Sequence, residues 1–133
     1  MHDGRRYPYG RKVAALGYVV TGSRSVYFAG DTDVFDGMSE LAGADVGLIP
    51  VSGWGAKVGP GHLDPARAAA AVGLLRPRVA IPIHWGTYAP LHWRVSGGKS
   101  PSEDPAAEFA AAVALATPEV EVRILRPGER TEF

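Results

Sequence analysis

Two stretches of this sequence have residue types and spacing suited to holding a metal ion. In Phe28-Ala-Gly-Asp-Thr-Asp33 an apolar run ends, Gly30 permits a sharp turn, and two carboxylates follow, Asp31 and Asp33. In Ala80-Ile-Pro-Ile-His-Trp-Gly-Thr-Tyr88 a β-rich run delivers His84 at its end. Ligand sites collect at the C-terminal edge of a sheet, and neutral imidazole is the commonest side-chain ligand of metals. His62 lies in the glycine-rich Gly59-Pro-Gly-His-Leu-Asp-Pro65, just before a helix signal, while His2 and His92 sit in segments that read as loops. Each residue also has a plainer reading. Asp31 could serve an Asx-turn or a helix N-cap, His84 could face solvent or bond a backbone carbonyl, and His62 could sit idle near a cap. Taken together, Asp31, His62 and His84 all fall where a strand or loop meets the same type of edge. One carboxylate and two imidazoles, with no cysteine anywhere, suit a hydrolytic zinc, iron or manganese site rather than a structural zinc knuckle.

The elements that would position them can be read from periodicity. Ala15–Val20 and Ser25–Ala29 are β-rich runs separated by Thr21-Gly-Ser-Arg24, a hairpin signal. A short helix is expected over Phe35–Leu41, and a buried strand over Val46–Val51. Asp64-Pro65 opens a helix running to Leu75, with Asp as N-cap and Pro at the first helical position. Val79–Ile83 is the next strand, Glu103–Ala116 an alanine-rich helix, and Val120–Leu125 alternates like a final strand. Ser52–Gly61 and Gly86–Pro101 read as loops, and Met1–Lys12 as a loop entering the fold. The order is β-β-(α)-β-α-β-α-β, an α/β chain that delivers Asp31 and His84 at the ends of neighbouring strands.

Composition bounds the partners. The 133 residues fit one domain, with no second one. The 14 basic residues cancel the 14 acidic ones, so no surplus positive charge draws nucleic acid or an anionic membrane. The apolar runs are too short for a bilayer span, and the polar, basic start does not fit a secretory signal; the expectation is a cytoplasmic protein. The 17 Gly and 11 Pro imply many tight turns around short strands.

Four ordered pieces resemble the metallo-β-lactamase-fold superfamily: Val26-Tyr-Phe-Ala-Gly-Asp-Thr32, Leu48-Ile-Pro-Val51, His62-Leu-Asp-Pro-Ala-Arg-Ala68 and Ile81-Pro-Ile-His-Trp-Gly-Thr-Tyr88. They are most similar to the hydrolase branch containing ascorbate-6-phosphate lactonase and the N-acyl-phosphatidylethanolamine-hydrolysing phospholipase D. The resemblance implies a four-layer αββα sandwich with a dinuclear metal site at one edge. This chain would supply its C-terminal half as residues 1–133: a single partial domain with one mainly antiparallel or mixed sheet and helices on one face. It further implies that Asp31 bridges the metals, that His84 and His2 are metal ligands, and that His62 lines the pocket and contacts substrate. The implied chemistry is attack of an activated water on an ester, lactone or phosphodiester of a small-molecule substrate. The metal would be zinc, with manganese and iron as alternatives.

The family's main metal signature, H-x-H-x-D-H, does not occur in these residues. His2, Asp31 and His84 alone give each of two metals about two protein ligands, where catalytic zinc usually has three and a water. Low metal occupancy and little activity of the chain alone are therefore expected. So is an apolar sheet face, formed by Leu16, Tyr18, Val20, Val26, Phe28, Leu48, Val79 and Ile81, that seeks a homo-oligomer or an N-terminal half in trans. The alternative function is a non-catalytic half-domain acting as an interaction or assembly module.

Overall fold

The computed structural model of the chain describes residues 16–51, 61–86 and 104–133. In chain order the elements are β1 (Tyr18–Thr21), β2 (Ser25–Phe28), a single 3-10 turn (Met38–Leu41), β3 (Val46–Pro50), α1 (Pro65–Leu75), β4 (Val79–Ile83), α2 (Pro105–Ala116) and β5 (Glu121–Val122). The strands form one mixed sheet in the order β1-β2-β3-β4-β5. Antiparallel pairing is confined to the β1–β2 hairpin; β2–β3, β3–β4 and β4–β5 are parallel.

Strand alternation gives the sheet two apolar faces. Tyr27, Ile49, Val51 and Ala80 join Met38, Leu63, Val72, Phe109 and Val113 in the core between the sheet and the helices. Ala68, Ala69 and Ala71 on α1 and Ala106 on α2 are buried, and side chains this small let helix backbones pack closely. On the other face, Val46, Val79 and Ile81 form a smaller cluster with Val26, Leu48 and Leu125 packed against it. The expected open face is thus narrower than its residue types suggest. Val79 and Ile81 are buried, and the exposed part is the hairpin, where Tyr18, Val20 and Phe28 keep 57%, 63% and 37% of their surface.

Both helices start on the same device. Asp64 caps α1 by accepting from the Arg67 amide, Asp104 caps α2 by accepting from the Ala107 amide, and each is followed by proline. The helix expected from Phe35 shrinks to one 3-10 turn because Gly37, at φ 84°, breaks the backbone just before it. The final strand stops at Val122. Beyond it Leu125 packs against the second apolar cluster, and the Arg123 guanidinium donates to Glu121, Thr131 Oγ1 and the Glu132 carbonyl, so the alternation of Ile124 and Leu125 serves packing rather than pairing.

The end of the sheet where β2, β3 and β4 begin is fastened by Asp45. Its Oδ2 accepts from the Ser25 amide at 2.8 Å and from Ser25 Oγ at 3.1 Å, and its own amide donates back to Ser25 Oγ. Arg24 and Arg78 lie 3.5 and 3.6 Å from Oδ1. The Ser25 amide bond chiefly holds the Asp45 carboxyl below its ordinary range, against the opposing effect of partial burial, with Ser25 Oγ and the two arginines adding to it. A carboxyl lowered in this way stabilises the fold above its unfolded pKa of about 3.9, and the contribution disappears as pH falls through the lower folded value. Urea midpoints of Asp45→Asn should therefore fall less than those of the parent chain as pH is taken from 5 towards 2; equal declines would remove Asp45 from the acid response.

Thr117, at the C-cap of α2, is the reverse case. Its Oγ1 is buried with no hydrogen-bond partner among the described residues, and the residue is 4% exposed. An unpaired buried hydroxyl costs on the order of 1–3 kcal/mol, whereas an apolar isostere carries no such penalty. Thr117→Val should raise the stability by about 1 kcal/mol in urea unfolding; a loss would show that the hydroxyl is satisfied.

Candidate functional site

The parallel pairing of β2, β3 and β4 sends their C-terminal ends to one edge of the sheet, and the turns after them carry the candidate residues. Phe28 pairs with Leu48 and Leu48 with Ile81. Asp31 and His84 each lie a few residues beyond these paired positions, in the turns that leave this edge. The parallel pairing runs up to those turns: the Val51 amide donates to the Ile83 carbonyl at 2.9 Å and the Ala29 amide to the Leu48 carbonyl at 3.1 Å. Asp31 and His84 are therefore at one edge, as expected, but their strands are not neighbours. β3 lies between them, so the backbones are separated by two strand spacings, about 10 Å.

The chain after each strand bends through backbone conformations that most residues avoid. Gly30 has φ 68°, and a Cβ built on it would lie 2.4 Å from the Leu16 carbonyl oxygen, so only glycine fits between the hairpin and Asp31. His84 has φ 61°. For a non-glycine residue this is an uncommon, mildly strained state, of the kind that clusters at functional sites. The Trp85 indole fixes the neighbouring turn by donating to the Pro82 carbonyl at 3.0 Å.

His62 comes to the same edge from the loop preceding α1. Its Nδ1 lies 2.7 Å from Asp31 Oδ1, with side chains 31% and 51% exposed. An ionised carboxylate only accepts, so Nδ1 carries the proton and donates. Two residues to which the resemblance assigns different roles are thus in direct contact. Asp31, His62 and His84 are the described candidates; His2 and His92 lie outside the described residues. Among the described residues no three His, Asp or Glu side chains gather closely enough to hold a metal by themselves. The donors present are nevertheless of the right chemistry, a carboxylate and imidazoles, for a divalent transition metal.

Asp33, the second carboxylate of its motif, has no assigned role in the sequence reading, and Arg67 is not a candidate there. Asp33 is nearly buried and accepts four hydrogen bonds: Oδ1 takes the Val34 amide at 2.7 Å and Arg67 Nε and Nη2 at 2.9 and 2.5 Å, and Oδ2 takes the Gly61 amide at 3.0 Å. Burial pushes the Asp33 carboxyl up, but the Arg67 bond, the Val34 and Gly61 amides and the guanidinium charge outweigh it and hold the group below its ordinary range. A signal for this pair was available. Arg67 stands in the first turn of α1, where the positive helix end disfavours a cation by about 0.3–1 kcal/mol, which a nearby carboxylate offsets.

The wider neighbourhood has two concavities. A cavity of about 170 Å³ lies beside Thr32, lined by Gly17, Val19, Tyr27, Ala29, Phe35 and Leu41. An open groove next to His84 is lined by Trp85, Asp104, Leu125, Arg126 and Glu129 among others. Among the described residues no helix is long and apolar enough to cross a membrane.

Comparison with known proteins gives a consistent outcome. Residues 2–85 match the β-lactamase superfamily domain. A metal-dependent hydrolase of Aeropyrum pernix is 40% identical over 126 residues, covering 91% of this chain and 44% of the relative. One of Methanopyrus kandleri is 40% identical over 121 residues, covering 88% of this chain and 45% of the relative. Among solved structures, a metallo hydrolase from the hyperthermophilic archaeon Ignicoccus hospitalis superposes with a TM-score of 0.66 at 28% identity, covering 96% of this chain and 47% of that one. The chain thus spans less than half the length of these relatives.

Proposed function

The chain belongs to the β-lactamase superfamily, and from that premise we propose that it forms part of the active site of a metal-dependent hydrolase. In this reading Asp31 and His84 are metal ligands, joined by His2, and His62 contacts the substrate. The observation that carries the proposal is the contact of His62 with Asp31 at 2.7 Å, at the sheet edge where the turns bearing Asp31 and His84 emerge. The remaining ligands would come from an H-x-H-x-D-H segment outside these residues, on the same polypeptide or in trans.

A divalent metal, with zinc first and manganese or iron as alternatives, would supply Lewis-acid polarisation and an acidified water to such a site. The chain's own residues have distinct tasks. The Asp31 carboxylate places negative charge at the edge and fixes the His62 ring by accepting from Nδ1. His62 would position or protonate a small ester, lactone or phosphodiester. The turn at His84 starts from the same sheet edge as the turn at Asp31. The exposed hairpin face of Tyr18, Val20 and Phe28 supports packing against a second sheet, since apolar burial is worth roughly 25 cal/mol per Å².

A second reading, a non-catalytic half-domain used for assembly, is favoured by the absence of any three-ligand cluster among the described residues. The two part on one experiment. The chain is dialysed against zinc alone and then mixed with the N-terminal half of a full-length relative, and metal content and sedimentation are measured. The hydrolase reading expects well under one equivalent alone and stoichiometric zinc in a faster-sedimenting complex. A complex that forms without taking up metal would establish the assembly module instead.

A further inference from the structure

The contacts around Asp33 join the two segments that meet in the site. Asp33 is two residues beyond Asp31, and its Oδ2 holds the Gly61 amide at 3.0 Å, one residue before His62. Its Oδ1 is gripped by Arg67 Nε and Nη2, from the first turn of α1, and by the Val34 amide. Gly61 has φ 107°, so the chain turns sharply at the point where Asp33 grips it. His62 must then leave this turn in a fixed direction, and that direction ends on Asp31 Oδ1 at 2.7 Å. Arg67 is a cation at the disfavoured end of its helix, half-exposed while its partner is only 12% exposed. A surface arginine with no task would not need to occupy that place. From these contacts we propose that Asp33 and Arg67 are positioning residues: they clamp the Gly61–His62 turn against the Asp31 turn and so set the orientation and tautomer of His62.

The proposal deepens the hydrolase reading and rests on it for its functional meaning, but its physical content is testable without metal. While the clamp holds, His62 is the Nδ1–H tautomer because Asp31 accepts that proton. Once the clamp is released, the turn swings, the Asp31 contact lapses, and the carboxylate no longer holds the proton on Nδ1. A purely structural role for Asp33 would lower the melting temperature and leave the ring unchanged in the molecules that remain folded.

The experiment is a long-range ¹H–¹⁵N spectrum of the histidine rings in the metal-free full chain at mildly alkaline pH. Asp33→Asn and Arg67→Met are compared with the parent, with Asp31→Ala as the reference for a lost contact and Thr117→Val as a control remote from the site. Both clamp variants should move the His62 signals to the Asp31→Ala pattern while Thr117→Val keeps the parent pattern. In the zinc-loaded complex with the N-terminal half, the clamp variants should also weaken metal affinity by about 10–100-fold, the usual effect of losing a group that orients a site. Folded variants with the parent His62 spectrum would overturn the proposal. If Asp33→Asn fails to fold, Arg67→Met decides alone, since it keeps the Val34 and Gly61 bonds to Asp33. A complex that binds no zinc would count against the hydrolase reading, whereas the ring spectrum would still decide the clamp.

Discussion

Asp31→Ala should lower the zinc affinity of the complex between this chain and an N-terminal half by about 100-fold or more, beyond the 10–100-fold usual for a residue that only orients a ligand. The effect is large because one carboxylate does two things. It lies in the turn at the same sheet edge as His84, and it accepts the Nδ1 proton of His62. Removing it takes away charge from the edge and releases the ring together. Competition against a chromophoric zinc chelator measures the change, and His84→Ala should show a loss of similar size. An Asp31→Ala complex with parent-like affinity would move the metal site away from this edge.

Gly30→Ala should destabilise the chain by about 3 kcal/mol, a large effect for a single methyl group. Two costs add. Alanine at φ 68° is disfavoured by roughly 1–2 kcal/mol, the left-handed penalty of an L-residue. Its methyl would also stand 2.4 Å from the Leu16 carbonyl oxygen, which is backbone and can move only if the hairpin moves. Against a total stability of about 5–15 kcal/mol, a shift of the urea midpoint would be plain. Gly43→Ala is the comparison: φ is 91° there, but nothing lies within 4 Å of the added carbon, so the loss should be smaller. Equal losses would mean that backbone angle alone matters and that the hairpin yields freely.

The strands and helices were legible where a local signal decided them. The Asp64-Pro65 pair marks the start of α1, and the apolar run of Val79–Ile83 coincides with β4 in full. Asp104-Pro105 carries the same signature as Asp64-Pro65, so the start of α2 could have been set there rather than at Glu103. Strand order is a different matter. Nothing local says that β3 intervenes between β2 and β4, because the choice depends on how the crossovers through the 3-10 turn and α1 pack. The contact between His62 and Asp31, and the Asp33–Arg67 clamp beside it, join residues 31 and 34 positions apart. Residue type made Asp31 and His62 candidates one by one, but only the packed turn could make them partners. The sheet face is narrower than its residue types suggest for a similar reason: Leu125, which alternation places in a strand, packs against the Val79 and Ile81 cluster.

In the hydrolase reading, the backbone at His84 sets stability against activity. A histidine at φ 61° is held in a state that glycine would occupy without penalty. His84→Gly should therefore match or exceed the parent chain in stability, by up to about 1 kcal/mol, while losing the imidazole. Thermal unfolding would check this, and a clear loss of stability would show that the ring packs to good effect. The same position would also act as a record of selection. On the hydrolase reading, a lineage released from the need to hydrolyse anything would gain stability by drifting to glycine or asparagine there.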